Sequence, residues 1–373
     1  MFQQILTSRL YHRVCCFVLF FVAASASYGG FYQKSHIFEA LESASSERNG
    51  IEQMLDGTAN RPYVYRQLLP STANWIDRIV PRLIENWFYI HQGSGPDAYI
   101  AVMSDSPIAT NKVYFFRYLT VYVATFLFTL LAVYAMYLVC RALEIPPPAA
   151  VFAPVVVILL VPYIMDGGGY FYDYPELAFM ALAVWVALKF DWWWVIPVAA
   201  LGTWNKESFL LFIPTLYPIF RRQHSRLGAL LGVGVLCLIC AAVYFPERLQ
   251  FAHNPGSTVE WGLPNQLESF LHPRNLLLAT EETYGVRTLK ALSVVPIALL
   301  VWTVRRGWRH LPRAIQQHGQ IAAVINITLY LLFCCPGELR DLSMLYIIFL
   351  LVLAVNLNDW VGGSERRQTM QTG

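Results

Sequence analysis

Five groups of ionisable residues stand out in this strongly apolar chain. They are Asp56 with Arg61 and Arg66 in DGTANRPYVYRQLLP; Asp166, Asp173 and Glu176 in DGGGYFYDYPE; Lys206 and Glu207 in LGTWNKESFLLFIP; Glu260; and Glu338, Arg340 and Asp341 in PGELRD. Ionisable groups at or just below membrane depth cost at least about 2.5–3.5 kcal/mol each on insertion scales, so they tend to be paired or functional.

Each group has its own chemistry. Pro62 biases Arg61 toward extended backbone, and Tyr63 and Tyr65 alternate with Val64 and Arg66, so side chains point to opposite faces and two fixed cations can clamp a phosphate. The bland alternative is a loop whose arginines meet lipid headgroups. In the second group, Gly167 to Gly169 let the backbone turn tightly between flanking acids. Tyr170, Phe171, Tyr172 and Tyr174 add an aromatic wall, and Glu176 falls about one turn into the following helix, near its positive end. Lys206 lies between two short apolar segments, where an ammonium needs a wet surrounding, a carboxylate or an anionic ligand. Arg340 offers a planar fork for carboxylate or phosphate, either as a ligand site or as an internal salt bridge with Glu338.

The elements that must position these groups are membrane helices. Of 373 residues, 56% are hydrophobic and only 14% charged, where soluble domains carry about 45–50% and about 25%. The apolar stretches approach the roughly 20 residues a membrane crossing needs. Spans are expected near 12–30, 115–140, 149–165, 174–190, 192–204, 208–220, 227–245, 289–304, 319–335 and 342–357. The expected fold is an all-α polytopic bundle, one membrane-embedded domain over 1–373 with about ten spans. The segments 192–204 and 208–220 are expected to meet below the surface at Asn205, Lys206 and Glu207.

Orientation follows from the basic residues of short loops. Arg9 and Arg13, then Arg221, Arg222 and Arg226, then Arg305, Arg306, Arg309 and Arg313, and finally Arg366 and Arg367 all fall on one side. That side is the expected cytoplasm, with both termini inside and the five ionisable groups outside. Arg9, Arg13, the apolar run Val14 to Ala24 and the triplet Ala24-Ser25-Ala26 also fit a cleavable signal peptide.

Within the exported segment 31–114, Trp75, Ile76, Ile79, Val80, Leu83, Ile84, Trp87 and Phe88 recur at helical spacing opposite Asn74, Asp77, Arg78, Arg82 and Glu85. This pattern predicts a helix lying in the membrane surface and bent near Pro81. A weaker amphipathic stretch runs from Ile37 to Ala44, and Leu267, Phe270, Leu271, Leu276 and Leu277 repeat the design in the second exported loop, 246–288.

Several classes fall away. A net charge of +3, spread along the chain, gives no basic stripe for nucleic acid. Cys237 and Cys240 form a CxxC on a membrane segment without a second CxxC or nearby His. The eight histidines show no ligand spacing, so no transition-metal site is expected, while a divalent cation on Asp56 or Asp173 stays open. Asn326-Ile327-Thr328 matches a glycosylation pattern but falls inside an expected span.

With these features in place, the layout resembles the GT-C superfamily of polyprenyl-phosphate-dependent membrane glycosyltransferases. The resemblance rests on Asp56, the run RPYVYR, NKES and GELRD, and on the layout of most of the chain. It implies a first exported loop bearing interfacial helices and a catalytic carboxylate, and two short helices joined at a lysine. It also implies transfer of a sugar from a polyprenyl-phosphate-linked donor to an extracytoplasmic acceptor. Asp56 or Asp173 would be the catalytic base, and Arg61, Arg66, Lys206 and Arg340 would surround the phosphate, with Glu176, Glu207 and Glu338 in support. One departure is plain: the acidic pair usual soon after the first helix is absent from SYGGFYQKSHIFE, which offers only Glu39.

Two other classes compete. A transporter or flippase of an anionic lipid or glycan would use the same cations without a base. A non-catalytic membrane assembly subunit would need neither. The transferase reading predicts that Lys206→Ala and Asp173→Asn abolish sugar transfer at unchanged protein abundance.

Overall fold

The structure, a computed structural model, describes residues 9–34, 50–93, 111–165, 168–257, 259, 261–272, 274, 277 and 279–371. The stretch 37–44, Asp166 and Glu260 lie outside the described residues. The chain is 77% helical with almost no sheet.

The chain opens with α1 (Arg9–Tyr32), and the segment after it holds α2 (Ile51–Leu55), α3 (Leu68–Ile79) and α4 (Arg82–Phe88). Three long helices follow, α5 (Phe115–Ala142), α6 (Pro147–Ile164) and α7 (Asp173–Lys189). Then come α8 (Ile196–Asn205), α9 (Ser208–Phe220, with a 3-10 turn in its middle) and α10 (Arg226–Gln250). After α11 (Leu263–Leu271), the chain closes with α12 (Val294–Gly307), α13 (Arg313–Phe333), a 3-10 segment Leu339–Leu345 and α14 (Tyr346–Gln371).

Five of these segments are long and apolar enough to cross a membrane: Tyr11–Tyr32, Phe115–Ala142, Pro147–Ile164, Arg226–Gln250 and Leu339–Trp360. This is a membrane protein with transmembrane helices. The other expected spans are present as helices but are shorter or more polar. α7, α8 and α12 have 17, 10 and 14 residues, and α13 starts with Gln316, Gln317, His318 and Gln320 in its first half.

The core forms where α5 packs along α7, α1 lies against α5 and α6, and α14 lies against α6 and α12. Its polar groups are satisfied internally, as an apolar surrounding demands. Ser27 Oγ donates to the Ile158 carbonyl at 2.6 Å and meets the Tyr174 hydroxyl at 2.6 Å. The segment carrying the Ala24-Ser25-Ala26 triplet is thus packed among helices, with Ala24 buried. By contrast Leu230, Leu231, Leu238, Phe245 and Leu249 of α10 are all more than half exposed, the surface expected of a helix bordered by lipid.

The amphipathic helix expected between Asn74 and Phe88 is present as two pieces. Its break at Val80 and Pro81, both in extended backbone, follows from a proline ring that cannot continue a helix. Trp75, Ile79, Leu83, Ile84 and Trp87 form one exposed apolar face across the break. On α11, Leu267, Phe270 and Leu271 are likewise exposed.

A two-stranded hairpin is the exception to the all-α expectation. β1 (Thr280–Thr283) pairs antiparallel with β2 (Val286–Leu289), Thr283 opposite Val286. Tyr284 and Gly285 turn the chain with φ of 57° and 72°, the pair of positive angles that matches strand twist. Gly285 supplies this angle freely, whereas a tyrosine rarely does, so the sequence signal was weak. Glu281 of this hairpin pairs with Lys34 at 2.9 Å, docking it beside the end of α1.

Candidate functional site

The site is assembled where α7 begins, where α8 passes into α9, and where the final 3-10 segment starts. Lys206 is the hinge of the second of these. It adopts extended backbone (φ −157°, ψ 132°) between two helices, so its side chain leaves the helical path. The close approach of α8 and α9 depends on Gly202, where a Cβ would come within 2.7 Å of the Phe209 ring.

The Lys206 ammonium is buried among carboxylates: Glu176 Oε2 at 2.8 Å, Asp341 Oδ1 at 3.0 Å and Asp173 Oδ1 at 3.8 Å. Glu176 is held in turn by two hydroxyls, Ser208 Oγ at 2.6 Å and Ser343 Oγ at 2.9 Å, both donating to Oε1. The Arg340 guanidinium pairs with Glu338 at 2.7 Å and faces Asp173 Oδ2 at 3.6 Å. It also lies over the Tyr170 ring, 4.6 Å from its centre.

Beside them, Arg66 grips Glu207 with two nitrogens at 2.9 and 3.3 Å. Its guanidinium lies over Tyr172 at 4.3 Å and Tyr63 at 5.4 Å, and it donates to the Tyr172 hydroxyl. Tyr170 and Tyr172 stack nearly parallel, 5.1 Å apart at 8°, which joins the Arg66–Glu207 pair to the Lys206 group. Burial would push the Glu207 carboxyl up, but the Arg66 charge and its hydrogen bonds outweigh burial and hold it below the ordinary carboxylate range. Burial likewise works against the Arg66 charge, and Glu207 then Tyr172 raise it well above its ordinary value.

The arrangement therefore holds five carboxylates (Asp173, Glu176, Glu207, Glu338, Asp341) around three cations (Arg66, Lys206, Arg340). Ionised together, they leave an excess of negative charge. Some of their hydrogen-bonding capacity is unmet: Asp173 Oδ1, Arg340 Nε and Arg340 Nη1 are buried without a hydrogen-bond partner. Asp173 Oδ2, by contrast, accepts from the Tyr170 amide at 2.8 Å, which fixes the side chain at the start of α7.

Of the residues singled out in the sequence, Asp173, Glu176, Lys206, Glu207, Glu338, Arg340, Asp341 and Arg66 are brought together in this way. Asp56 and Arg61 are not. Asp56 accepts from the Tyr114 hydroxyl at 2.5 Å and from Arg117 at 3.4 Å. Arg61 donates to the carbonyls of Ala252 and Gly256 at 3.2 and 2.6 Å, so it ties the segment between α1 and α5 to the one after α10 rather than reaching the Lys206 group. The bond to Asp56, followed by burial, pushes the Tyr114 phenol up to about 12.

Residues the sequence reading gave no role complete the site. Asp341 is the second ligand of Lys206, and Asn326 fixes its backbone by donating to the Asp341 carbonyl at 2.7 Å while accepting from the Met344 amide at 3.0 Å. A buried amide inside an apolar helix needs such partners, and that was the available signal for Asn326. Nothing local marks Ser208, Ser343 or Arg117. Among the described residues, no group of three or more His, Cys, Asp or Glu side chains is arranged to hold a metal ion. No protein-family model, curated protein or solved structure matches the chain, so a functional reading rests on the site itself.

Proposed function

We propose that this protein is a membrane glycosyltransferase of the GT-C type, moving a sugar from a polyprenyl-phosphate donor to an extracytoplasmic acceptor. The observation that carries the reading is the juxtaposition of an unmet acceptor, Asp173 Oδ1, with unmet donors, Arg340 Nε and Nη1, among buried charges. A bound pair of groups, a hydroxyl and a phosphate, would satisfy both kinds at once. That combination is what glycosyl transfer from a phosphate donor brings together.

In this reading Asp173 Oδ1 takes the proton of the acceptor hydroxyl as its oxygen bonds to the sugar carbon. The bond from that carbon to the phosphate oxygen breaks, and the electron pair leaves with the lipid phosphate. Arg340 meets the developing charge; such help from a general base is typically worth about 10²–10⁴-fold. Lys206 acts through others: paired to three carboxylates, it positions Asp173 and Asp341 rather than serving an incoming phosphate as a free cation.

The topology proposed with this function has about ten crossings, the shorter helices α7, α8, α9 and α12 and the more polar α13 completing the bundle inside it. Both termini and the arginine-rich loops are cytoplasmic, following the bias of short loops, and the site faces outward. The broken helix α3–α4 lies in the outer leaflet, its exposed tryptophans supporting that placement.

The test supplies radiolabelled polyprenyl-phosphate sugars to membranes containing the wild type or Asp173→Asn. Loss of transfer at normal abundance supports the reading. Full activity in the variant removes Asp173 from the mechanism. Movement of unaltered substrate across proteoliposomes, in a variant lacking the base, would instead mark a transporter.

A further inference from the structure

Arg66, Lys206 and Arg340 each face a carboxylate, so none offers an incoming anion a full positive charge. Arg248, in the last turn of α10, differs from them. Its guanidinium lies 5.5 Å from the centre of the Tyr65 ring and 5.2 Å from that of Tyr244. It forms no ion pair with any described residue. A guanidinium on an aromatic face keeps its charge and its in-plane N–H edge, the edge that forks onto phosphate oxygens.

The position of Arg248 matters as much as its lack of a carboxylate partner. Phe245 and Leu249, in the same turns of α10, are 58% and 75% exposed on the apolar outer surface. Arg248 is half-buried between them. On the inner side, Tyr65 immediately precedes Arg66, the partner of Glu207, and Tyr244 is within electrostatic reach of Glu207. Arg248 thus stands between the lipid-facing surface and the charged site.

We propose that Arg248, held on Tyr65 and Tyr244, is the docking point for the phosphate headgroup of an amphiphile arriving from the lipid side, ahead of the Arg66, Lys206 and Arg340 group. The role in transfer rests on the glycosyltransferase reading; the binding step does not. A phosphate at Arg248 keeps its lipid tail outside, against Phe245 and Leu249. A short shift inward past Tyr65 then brings the headgroup to Arg66. The excess of carboxylates inside would otherwise repel an anion, which gives an unpaired cation at the threshold its purpose.

The experiment measures binding to the full chain in nanodiscs of neutral phosphatidylcholine, titrated with a polyprenyl monophosphate, phosphatidylglycerol or inorganic phosphate. Arg248→Gln is expected to bind the polyprenyl phosphate about tenfold more weakly, as expected for a lost charge-assisted bond, with Arg248→Lys intermediate and the melting temperature unchanged. Weaker binding of both lipids in Arg248→Gln identifies a general phosphate-headgroup site; weaker binding of the polyprenyl phosphate alone identifies the donor. Unchanged binding of both lipids at unchanged melting temperature overturns the proposal. So does wild-type protein that binds neither lipid, or that binds inorganic phosphate as tightly as the lipids. Where transfer is measurable, the donor KM should rise in Arg248→Gln with little change in kcat. Phosphate-lipid binding without any transfer would sink the transferase reading and leave this site standing, whereas transfer at wild-type donor KM in Arg248→Gln would do the reverse.

Discussion

Lys206 and Glu176 face each other across 2.8 Å from positions 30 residues apart, and Asp341 completes the pair from a third segment at 3.0 Å. Removing the lysine leaves the buried Glu176 with no cation, held only by the Ser208 and Ser343 hydroxyls. Breaking a buried ion pair on one side costs about 3–5 kcal/mol. Lys206→Ala should therefore lower both melting temperature and membrane abundance, where the sequence alone suggested lost activity at normal abundance. A variant with wild-type melting temperature would show that Glu176 and Asp341 do not depend on Lys206.

Asp56 and Asp173 start as equal candidates for the catalytic base, and the geometry separates them. Asp56 belongs to Tyr114 and Arg117, while Asp173 faces Lys206 and Arg340. Asp56→Asn should keep transfer within about twofold, and Asp173→Asn should lose about 10²–10⁴-fold. Initial rates in membranes of matched abundance decide this, and the opposite ranking would move the chemistry to the segment between α1 and α5.

The Arg66–Glu207 pair gives a pH dependence with a definite sign. Because Arg66 holds Glu207 below its ordinary range, the pair stabilises the fold above about pH 4.3, the unfolded glutamate value, and the stabilisation fades as pH falls through the lowered one. In Arg66→Gln burial, the largest influence on Glu207, is opposed only by a backbone hydrogen bond and Lys206, so the carboxyl moves up and the stabilisation that its ionised form gives at neutral pH shrinks. The gap in melting temperature between wild type and Arg66→Gln should widen from about pH 4 to about pH 7. A gap independent of pH would mean that Glu207 is not the group Arg66 serves.

Trp75 and Trp87 expose their rings on the α3–α4 face, at 61% and 52%. In liposomes containing brominated lipid, tryptophan emission should be quenched, and the quenched fraction should fall when both become phenylalanine. Equal quenching in the double variant would place α3 and α4 away from the bilayer.

The division between what the sequence disclosed and what it hid has a physical basis. Periodicity is local, so the broken surface helix, the turn at Lys206 and the apolar helices were legible from spacing alone. The acids and cations that converge were legible as types, since charges beside apolar runs are costly wherever they end up. Pairing was not legible. Nothing near Arg66 in sequence announces Glu207 on another segment, and nothing near Asp56 announces Arg117. The span count differed for a related reason: a helix such as α7 is enclosed by neighbours, with most of its residues buried, and an enclosed helix need not match the full apolar thickness of a bilayer by itself.

The hydroxyl of Ser343 reaches Glu176 across 167 residues of chain, and that span has a consequence for biogenesis. A nascent membrane protein emerges from its N-terminus, so α7 and the Lys206 hinge enter the bilayer long before PGELRD exists. Until that segment arrives, Lys206 lacks Asp341 and Glu176 lacks Ser343. The segment carrying Asp341 and Ser343 thus closes this charge cluster, and a chain that stops short of it exposes half-neutralised charge to the quality-control machinery of the membrane.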